Sequence, residues 1–296
     1  MLRWRLLMSC ILVPALIALF VADQTLGRPA TLLAAFCAII SLRSAWELTD
    51  LLAVRNFRPN FSIVGALAVA VTLLGWFHLH LHLQTPTTIL HSLGILAAAL
   101  VAAFLVLLTF ETLRFDTPGS SIESLGAHVL ILLYAGALPA FTAQLRWFPK
   151  EELGYFALAS LIVCVKCGDT CAYTFGRLWG KRRLCPKLSP GKTGMGFIGA
   201  LVGSTAGGWL WLNYAGQLFD ATPHAAEFPL VAAYGLSIGL AGLVGDLCES
   251  LIKRDVGKKD ASAILPGFGG LLDLVDSPLY AGPVALAWWI LLPPAA

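Results

Sequence analysis

The sequence predicts an all-α fold, a bundle of membrane-crossing helices, on three observations. Of its 296 residues 58% are hydrophobic and 12% charged, where soluble proteins carry about 25% charged residues. Mean hydropathy is +0.79. Apolar runs long enough to cross a hydrocarbon core of about 30 Å recur near residues 6–22, 30–47, 61–83, 88–109, 126–145, 153–175, 196–216, 228–247 and 278–293, about nine spans in all.

The connections between these runs set an orientation, because basic loops stay on the cytoplasmic side. With Arg3 and Arg5 inside, alternation also places inside Arg55, Arg58, Arg114, the 177–192 loop and the 253–259 cluster, leaving Arg28, Arg146 and Lys150 outside. The expected topology therefore has a cytoplasmic N-terminus and an external C-terminus. A net charge of +3 conceals a strongly basic cytoplasmic face, suited to anionic lipid headgroups or nucleotide phosphates. The first 22 residues have the charge pattern of a secretory signal, but without a small-x-small cleavage site they read as a retained first helix.

Residues 1–150 read as a transmembrane scaffold of spans and short loops, without repeats or low-complexity tracts. His78 and His82 share a helical face, with His80 between them and His91 beyond. Metal binding is open to such a pair, and so is the plainer role of amphipathic rings at a membrane interface. Seven cysteines include Cys164, Cys167 and Cys171. These lie at helical spacing inside an apolar run, where free thiols act as small hydrophobes, and no second pair stands at zinc-site spacing.

Residues 151–296 read as the catalytic region. Lys166 and Asp169 fall within a span, where an ionisable group demands a partner or a wet cavity; the two could neutralise each other at i, i+3 or Asp169 could serve a polar site. Residues 176–196 then gather Arg177, Lys181, Arg182, Arg183, Lys187 and Lys192 in a loop shaped by Gly and Pro, with Ser189, Lys192 and Thr193 as phosphate-type donors. The Gly191-Lys192-Thr193 triplet is not a P-loop, because Pro186 stands where that motif has its first glycine and no strand is expected before it.

The last polar block starts at Asp246. Asp246, Glu249, Ser250 and Lys253 share one helical face, so carboxylates and a cation line up at the end of the eighth span. Asp260 follows, then a turn at Pro266, Gly267, Gly269 and Gly270, then Asp273 and Asp276 at i, i+3. A turn there could bring Asp273 back towards Asp246, two carboxylates able to hold a hard cation such as Mg²⁺. Carboxylates with surrounding Lys and Arg equip a site for phosphoryl or nucleotidyl transfer. Interfacial salt bridges between helix ends account for the same residues without chemistry.

The run from Ser250 to Asp276 resembles the diagnostic segment of the phosphatidate cytidylyltransferases, S-x-x-K-R-x4-K-D followed by P-x-H-G-G-x-x-D-R-x-D. Ser250, Lys253, Arg254, Lys259, Asp260, Pro266, Gly269, Gly270, Asp273 and Asp276 fall in register. The upstream D-x-x-A-Y-x-x-G-R-x-x-G-K and S-P-x-K-T segments are similar too, through Asp169, Ala172, Tyr173, Gly176, Arg177, Gly180, Lys181, Ser189, Pro190, Lys192 and Thr193. The likeness is specific across residues 165–285 and generic before residue 150.

The resemblance implies a membrane enzyme that joins CTP to phosphatidate, giving CDP-diacylglycerol and pyrophosphate, with no nucleic-acid partner. The carboxylates point to Mg²⁺ as cofactor, with Asp246 and Asp273 as its expected ligands and Asp260 and Asp276 nearby. The basic loops put the site on the cytoplasmic side, and the short loops suggest a bacterial inner membrane. Lys253, Arg254 and Lys259 would neutralise the triphosphate, and Asp169, Tyr173, Arg177, Lys181, Ser189, Lys192, Thr193 and Ser250 would contact substrate. A homodimer is an open expectation. Three positions depart from the family pattern: Phe268 replaces its His, Leu274 replaces the Arg of D-R-x-D, and Met195 replaces a Glu. A CTP-dependent enzyme acting on another lipid, such as a prenyl acceptor, is the first rival, and an ion-coupled transporter the second.

Overall fold

Long apolar segments fold as helices because a backbone in lipid must satisfy its own hydrogen bonds. The computed structural model describes residues 2–27, 29–54, 57, 59–80, 88–116, 118–147, 153–219, 227–262, 264 and 269–294. In chain order the helices are α1 (Leu2–Leu26), α2 (Thr31–Ala53), α3 (Phe61–Leu74), α4 (Thr88–Leu113), α5 (Ser121–Ile131), α6 (Leu138–Ala143), α7 (Gly154–Trp179), α8 (Gly194–Tyr214), α9 (Phe228–Asp255) and α10 (Leu272–Leu291). A π-helical stretch, Leu132–Ala137, joins α5 to α6.

Seven segments among the described residues are long and apolar enough to cross a membrane: α2, His91–Leu113 within α4, the continuous Ser121–Trp147, α7, α8, α9 and α10. The chain is thus an all-helical polytopic membrane protein apart from one small hairpin. Two of the nine expected spans are shorter, Cys10–Leu26 in α1 and Phe61–Leu74. The 14 residues of α3 rise only about 21 Å. The apolar run expected to continue to residue 83 stops as helix at Gly75, and Trp76 donates its indole N–H to the Ala30 carbonyl at 3.3 Å. His78, His80 and His82 have side chains outside the described residues.

The chain forms two compact units, one from residues 1–143 with 256–274, the other from 144–255 with 275–296. In the first, Asn60 caps α3 through its side chain, which accepts from Ile63 N at 3.3 Å. The Asn60 N–H itself donates to His128 Nε2 at 2.8 Å, and His128 Nδ1 lies 3.1 Å from Glu111 Oε1. His128 is wholly buried, with Nε2 satisfied by Asn60 and the Glu111 carboxylate beside Nδ1. His128→Phe is expected to lower stability by about 1–3 kcal/mol, the cost of stranding a buried donor, read as a lower melting temperature in detergent.

In the second unit α7 and α8 approach closely along Gly199, Gly203 and Gly207. A Cβ on Gly203 would stand 2.5 Å from the Cys167 carbonyl oxygen and 2.6 Å from Cys171 Cβ. Small residues allow this kind of backbone approach in membranes, where tight packing replaces the hydrophobic drive. All seven cysteines are free, and Cys164 and Cys167 serve this packing, as the apolar reading of that run expected. Elsewhere in the unit the Ser160 hydroxyl lies 2.7 Å from Tyr234 Oη and accepts from Trp289 Nε1 at 3.4 Å, satisfying polar atoms at membrane depth.

One element was not expected from sequence. Arg183–Cys185 (β1) and Ser189–Thr193 (β2) pair as an antiparallel hairpin, Arg183 opposite Thr193 and Cys185 opposite Ser189. Its basic, Pro-containing residues carry no apolar alternation. Pro190 is tolerable because a two-stranded ribbon leaves every strand an edge.

Candidate active site

The hairpin and the C-terminal end of α9 meet at one end of the second unit. With 28 residues α9 is about 42 Å long, well beyond a hydrocarbon core, so its last turns carry charge out of the apolar zone. Lys192, on β2, reaches α9 with Nζ 2.9 Å from Asp246 Oδ2 and 3.3 Å from the Leu243 carbonyl oxygen. Arg254, exposed, donates from Nε to the Leu188 carbonyl at 3.3 Å. The basic loop is therefore a folded ribbon tied to the acidic helix.

Three carboxylates converge there. Asp246 and Glu249 from α9 and Asp276 from α10 each present an oxygen within 4.8 Å of the others. Gly245 makes the helix approach achievable: a Cβ there would lie 2.6 Å from Tyr280 Cβ and 3.1 Å from the Asp276 carbonyl oxygen. Glu249 and Asp276 are buried, and Asp246 is partly open to solvent. Lys253 is buried and ion-paired with Glu249 one turn back, and Ser250 Oγ lies a long 3.5 Å from Asp246 Oδ1. Asp276 Oδ1 accepts from the Ser277 N–H at 2.6 Å. The acids stand beside the ammonium groups of Lys192 and Lys253, and oxygen donors of this kind suit a hard cation with water in its remaining positions.

The described residues fit Mg²⁺. Oxygen ligands at about 2.1 Å in an octahedron stand roughly 3–4 Å apart, so oxygens already within 4.8 Å need only a small contraction. Glu249 received no role from its sequence position, although it shares the Asp246 face; its burial beside Asp276 depends on how α9 and α10 cross.

Asp273 lies in the first unit, and there its Oδ2 accepts from Gly270 N at 2.7 Å and Ala261 N at 3.0 Å. Lys259 and Asp260, also in that unit, are exposed. Pro266, Gly267 and Phe268 fall outside the described residues. On α7, Lys166 and Asp169 pair at 3.2 Å with both side chains about half exposed, and Arg177 donates to Tyr173 Oη at 3.0 Å, again on exposed groups. Lys181 is exposed and Ser189 half-buried on the hairpin. Thr193 caps α8, its Oγ1 accepting from Gly196 N at 3.0 Å, which gives that motif residue a structural task at the end of β2. Met195 and Leu274 are half-buried.

Comparison with known proteins finds bacterial relatives, several of them named phosphatidate cytidylyltransferase. The chain is 35% identical over 130 residues to a protein of Haemophilus influenzae named phosphatidate cytidylyltransferase, covering 44% of each chain. It is 36% identical over 185 residues to the Mycobacterium leprae protein of the same name, covering 62% of this chain and 55% of that one. An uncharacterized Escherichia coli protein, YnbB, is 33% identical over 186 residues, covering 62% of this chain and 59% of its own. The chain thus spans about half the length of the curated relatives it matches. The model of the Cytidylyltransferase family matches residues 3–292, nearly the whole chain, and the chain belongs to that family.

Proposed function

We propose that this protein transfers a cytidylyl group from CTP to phosphatidate, giving CDP-diacylglycerol and pyrophosphate. The observation that carries the reading is the convergence of Asp246, Glu249 and Asp276 beside Lys192 and Lys253 in a chain of the Cytidylyltransferase family. The names of the Haemophilus and Mycobacterium relatives support the choice of phosphatidate.

In the proposed reaction a phosphate oxygen of phosphatidate attacks the α-phosphorus of CTP, the Pα–O bond to the β-phosphate breaks, and pyrophosphate leaves with that electron pair. No general base is required, because a phosphate monoester is largely dianionic near neutral pH, its second pKa being about 6. The enzyme's work is to bring anions together, which Lys192, Lys253 and Arg254 serve on this unit; Lys259 remains a proposed cationic group. Asp246 and Asp276, with Glu249 beside them, would hold Mg²⁺, which when bound neutralises phosphate charge. Asp276 thereby takes the ligand place that the sequence reading gave to Asp273, whose Oδ2 is engaged by two backbone amides. Asp169, Tyr173, Arg177, Lys181, Ser189 and Ser250 remain proposed substrate contacts.

The proposal extends to placement: a bacterial inner membrane, the site facing the cytoplasm, residues 1–150 mainly scaffold, and nine crossings if α1 and α3 also traverse. The hairpin and the end of α9 concentrate Arg and Lys on one side, as the positive-inside rule asks of a cytoplasmic face. The full chain, purified and given radiolabelled CTP with Mg²⁺ and a panel of lipids, is expected to make labelled CDP-diacylglycerol from phosphatidate. Label appearing only on a prenyl acceptor, or on none, would refute the reading.

A further inference from the structure

Glu47 lies in the last third of α2, and it is wholly buried. Its carboxylate is saturated by one stretch of chain far away in sequence. Oε1 accepts from Ser262 Oγ at 2.8 Å and Leu271 N at 3.1 Å, and Oε2 accepts from Leu272 N at 2.8 Å. Arg43, one turn earlier on α2, supplies the compensating charge, with Nη2 3.0 Å and Nε 3.1 Å from Oε1. The Arg43 guanidinium in turn lies 4.0 Å from the centre of the Trp46 ring, which fixes its direction. One further turn along α2, Asp50 meets Lys258 at 3.4 Å. Helix α2 therefore holds Lys258, Ser262, Leu271 and Leu272, and every one of these groups belongs to the first unit.

The held stretch carries Lys259, Asp260 and the Gly269-Gly270 turn. The turn is shaped for the carboxylate. A Cβ on Gly270 would stand 2.5 Å from Glu47 Oε2 and within 3.0 Å of Oε1, so the second glycine of the pair is the space Glu47 occupies. Gly269 has φ +102, a backbone conformation that favours glycine. Asp273 closes the same loop from the other side through Ala261 and Gly270. A buried carboxylate with four donors around it and a helix N-terminus in front of it, at Leu271 and Leu272, is a stable placement for negative charge. Against this stands the simple role of filling the α2 interior, which an apolar residue would perform at lower desolvation cost; all of the carboxylate's partners outside α2 lie at Ser262, Leu271 and Leu272.

We propose that Glu47 is a positioning residue for the reaction, a clamp from the N-terminal scaffold that fixes the loop bearing Lys259, Asp260 and Asp273. The inference rests on the proposed cytidylyl transfer, because a clamp matters to rate only if that loop takes part in the chemistry. Holding cationic groups in place is where such a reaction gains its rate, and a displacement of about 1 Å can cost about a hundredfold.

The test uses the purified full chain with Glu47→Gln, Glu47→Ala, Gly270→Ala and the Glu47→Ala/Gly270→Ala double variant. Turnover, KM for CTP, melting temperature and hydrogen exchange of residues 256–272 are measured for each. Glu47→Gln is expected to lower kcat by about 10- to 100-fold, with KM for CTP changing far less and with faster exchange confined to the loop. Gly270→Ala alone should also be damaging, because its methyl group meets the carboxylate. In the double variant the clash is gone, so turnover should be no worse than in Glu47→Ala alone, a non-additivity that general destabilisation does not produce. Wild-type kcat in Glu47→Gln, or losses that multiply in the double variant, would overturn the clamp. If the unaltered protein makes no CDP-diacylglycerol, the proposed function fails. The positioning role falls with it, and exchange then reads the hold alone: faster exchange at Leu271 and Leu272 in Glu47→Gln leaves a purely structural clamp, and unchanged exchange ends that too.

Discussion

Asp246→Asn and Asp276→Asn are each expected to cut CTP-dependent turnover of phosphatidate by about a thousandfold, roughly 4 kcal/mol of transition-state stabilisation, with the protein still folded. Both residues belong to the converging carboxylates, and replacing one oxygen ligand by an amide weakens the hold on a hard cation. Stability gives a second readout. A cation that binds only the folded state raises the melting temperature by mass action, so added Mg²⁺ should stabilise the unaltered protein and leave either variant unmoved. Asp273→Asn is the informative partner. It should loosen the 260–273 loop, whose amides the carboxylate collects, and keep the Mg²⁺-dependent rise in melting temperature. Full turnover in Asp276→Asn together with loss of the Mg²⁺ response in Asp273→Asn would return the ligand role to Asp273.

Gly203→Leu should prevent the protein from accumulating in folded form. The first carbon of the new side chain would already stand 2.5 Å from the Cys167 carbonyl oxygen, and backbone atoms cannot be rotated aside as a side-chain tip can. Overpacking of a well-filled interior typically costs about 1–3 kcal/mol, and a forced separation of α7 from α8 along three glycines should exceed that range. Gly126→Ala supplies the control. Nothing lies within 4 Å of a Cβ at that α5 position, and Ala in place of Gly in a helix stabilises by about 0.5–1 kcal/mol. Size-exclusion chromatography and thermal unfolding in detergent separate the two outcomes. A Gly203→Leu protein that melts with the unaltered one would show that the close contact of these helices is not a source of stability.

The membrane helices were legible from residue chemistry because lipid leaves a long apolar run few alternatives. Helix ends were less so. Hydropathy continues past Leu74 through Trp76 and Phe77, yet the α-helix ends there and gives way to a short 3-10 turn at Phe77–His80. The candidate site was legible as a neighbourhood, in Asp246, Lys192, Lys253 and Asp276, since charge in such a chain is rare enough to point. Which acid meets which was not. Asp273 and Asp276 lie three residues apart, yet the first collects the amides of Ala261 and Gly270 and the second stands beside Asp246 and Glu249. Glu47 was given no role, although an acid at the end of an apolar run is itself a signal. Its partners are 215–225 residues away, a separation that no local spacing rule bridges.

That separation also sets an order of assembly. The first unit takes residues 256–274 from beyond the body of the second, so the N-terminal helices cannot be completed when they leave the ribosome. Leu272 follows Glu47 by 225 residues, which at ordinary synthesis rates is a wait of about 10–45 s. Through that interval Arg43 is already in place one helical turn away, so the newly inserted helix carries its acid as an ion pair from the start. The late segment then arrives at a carboxylate whose counter-charge is present, and it needs only to exchange water for amides. The same connectivity ties the fate of both units together during biogenesis: a chain cut short before residue 272 would leave its N-terminal half unfinished, exposing an incomplete interior to membrane quality control.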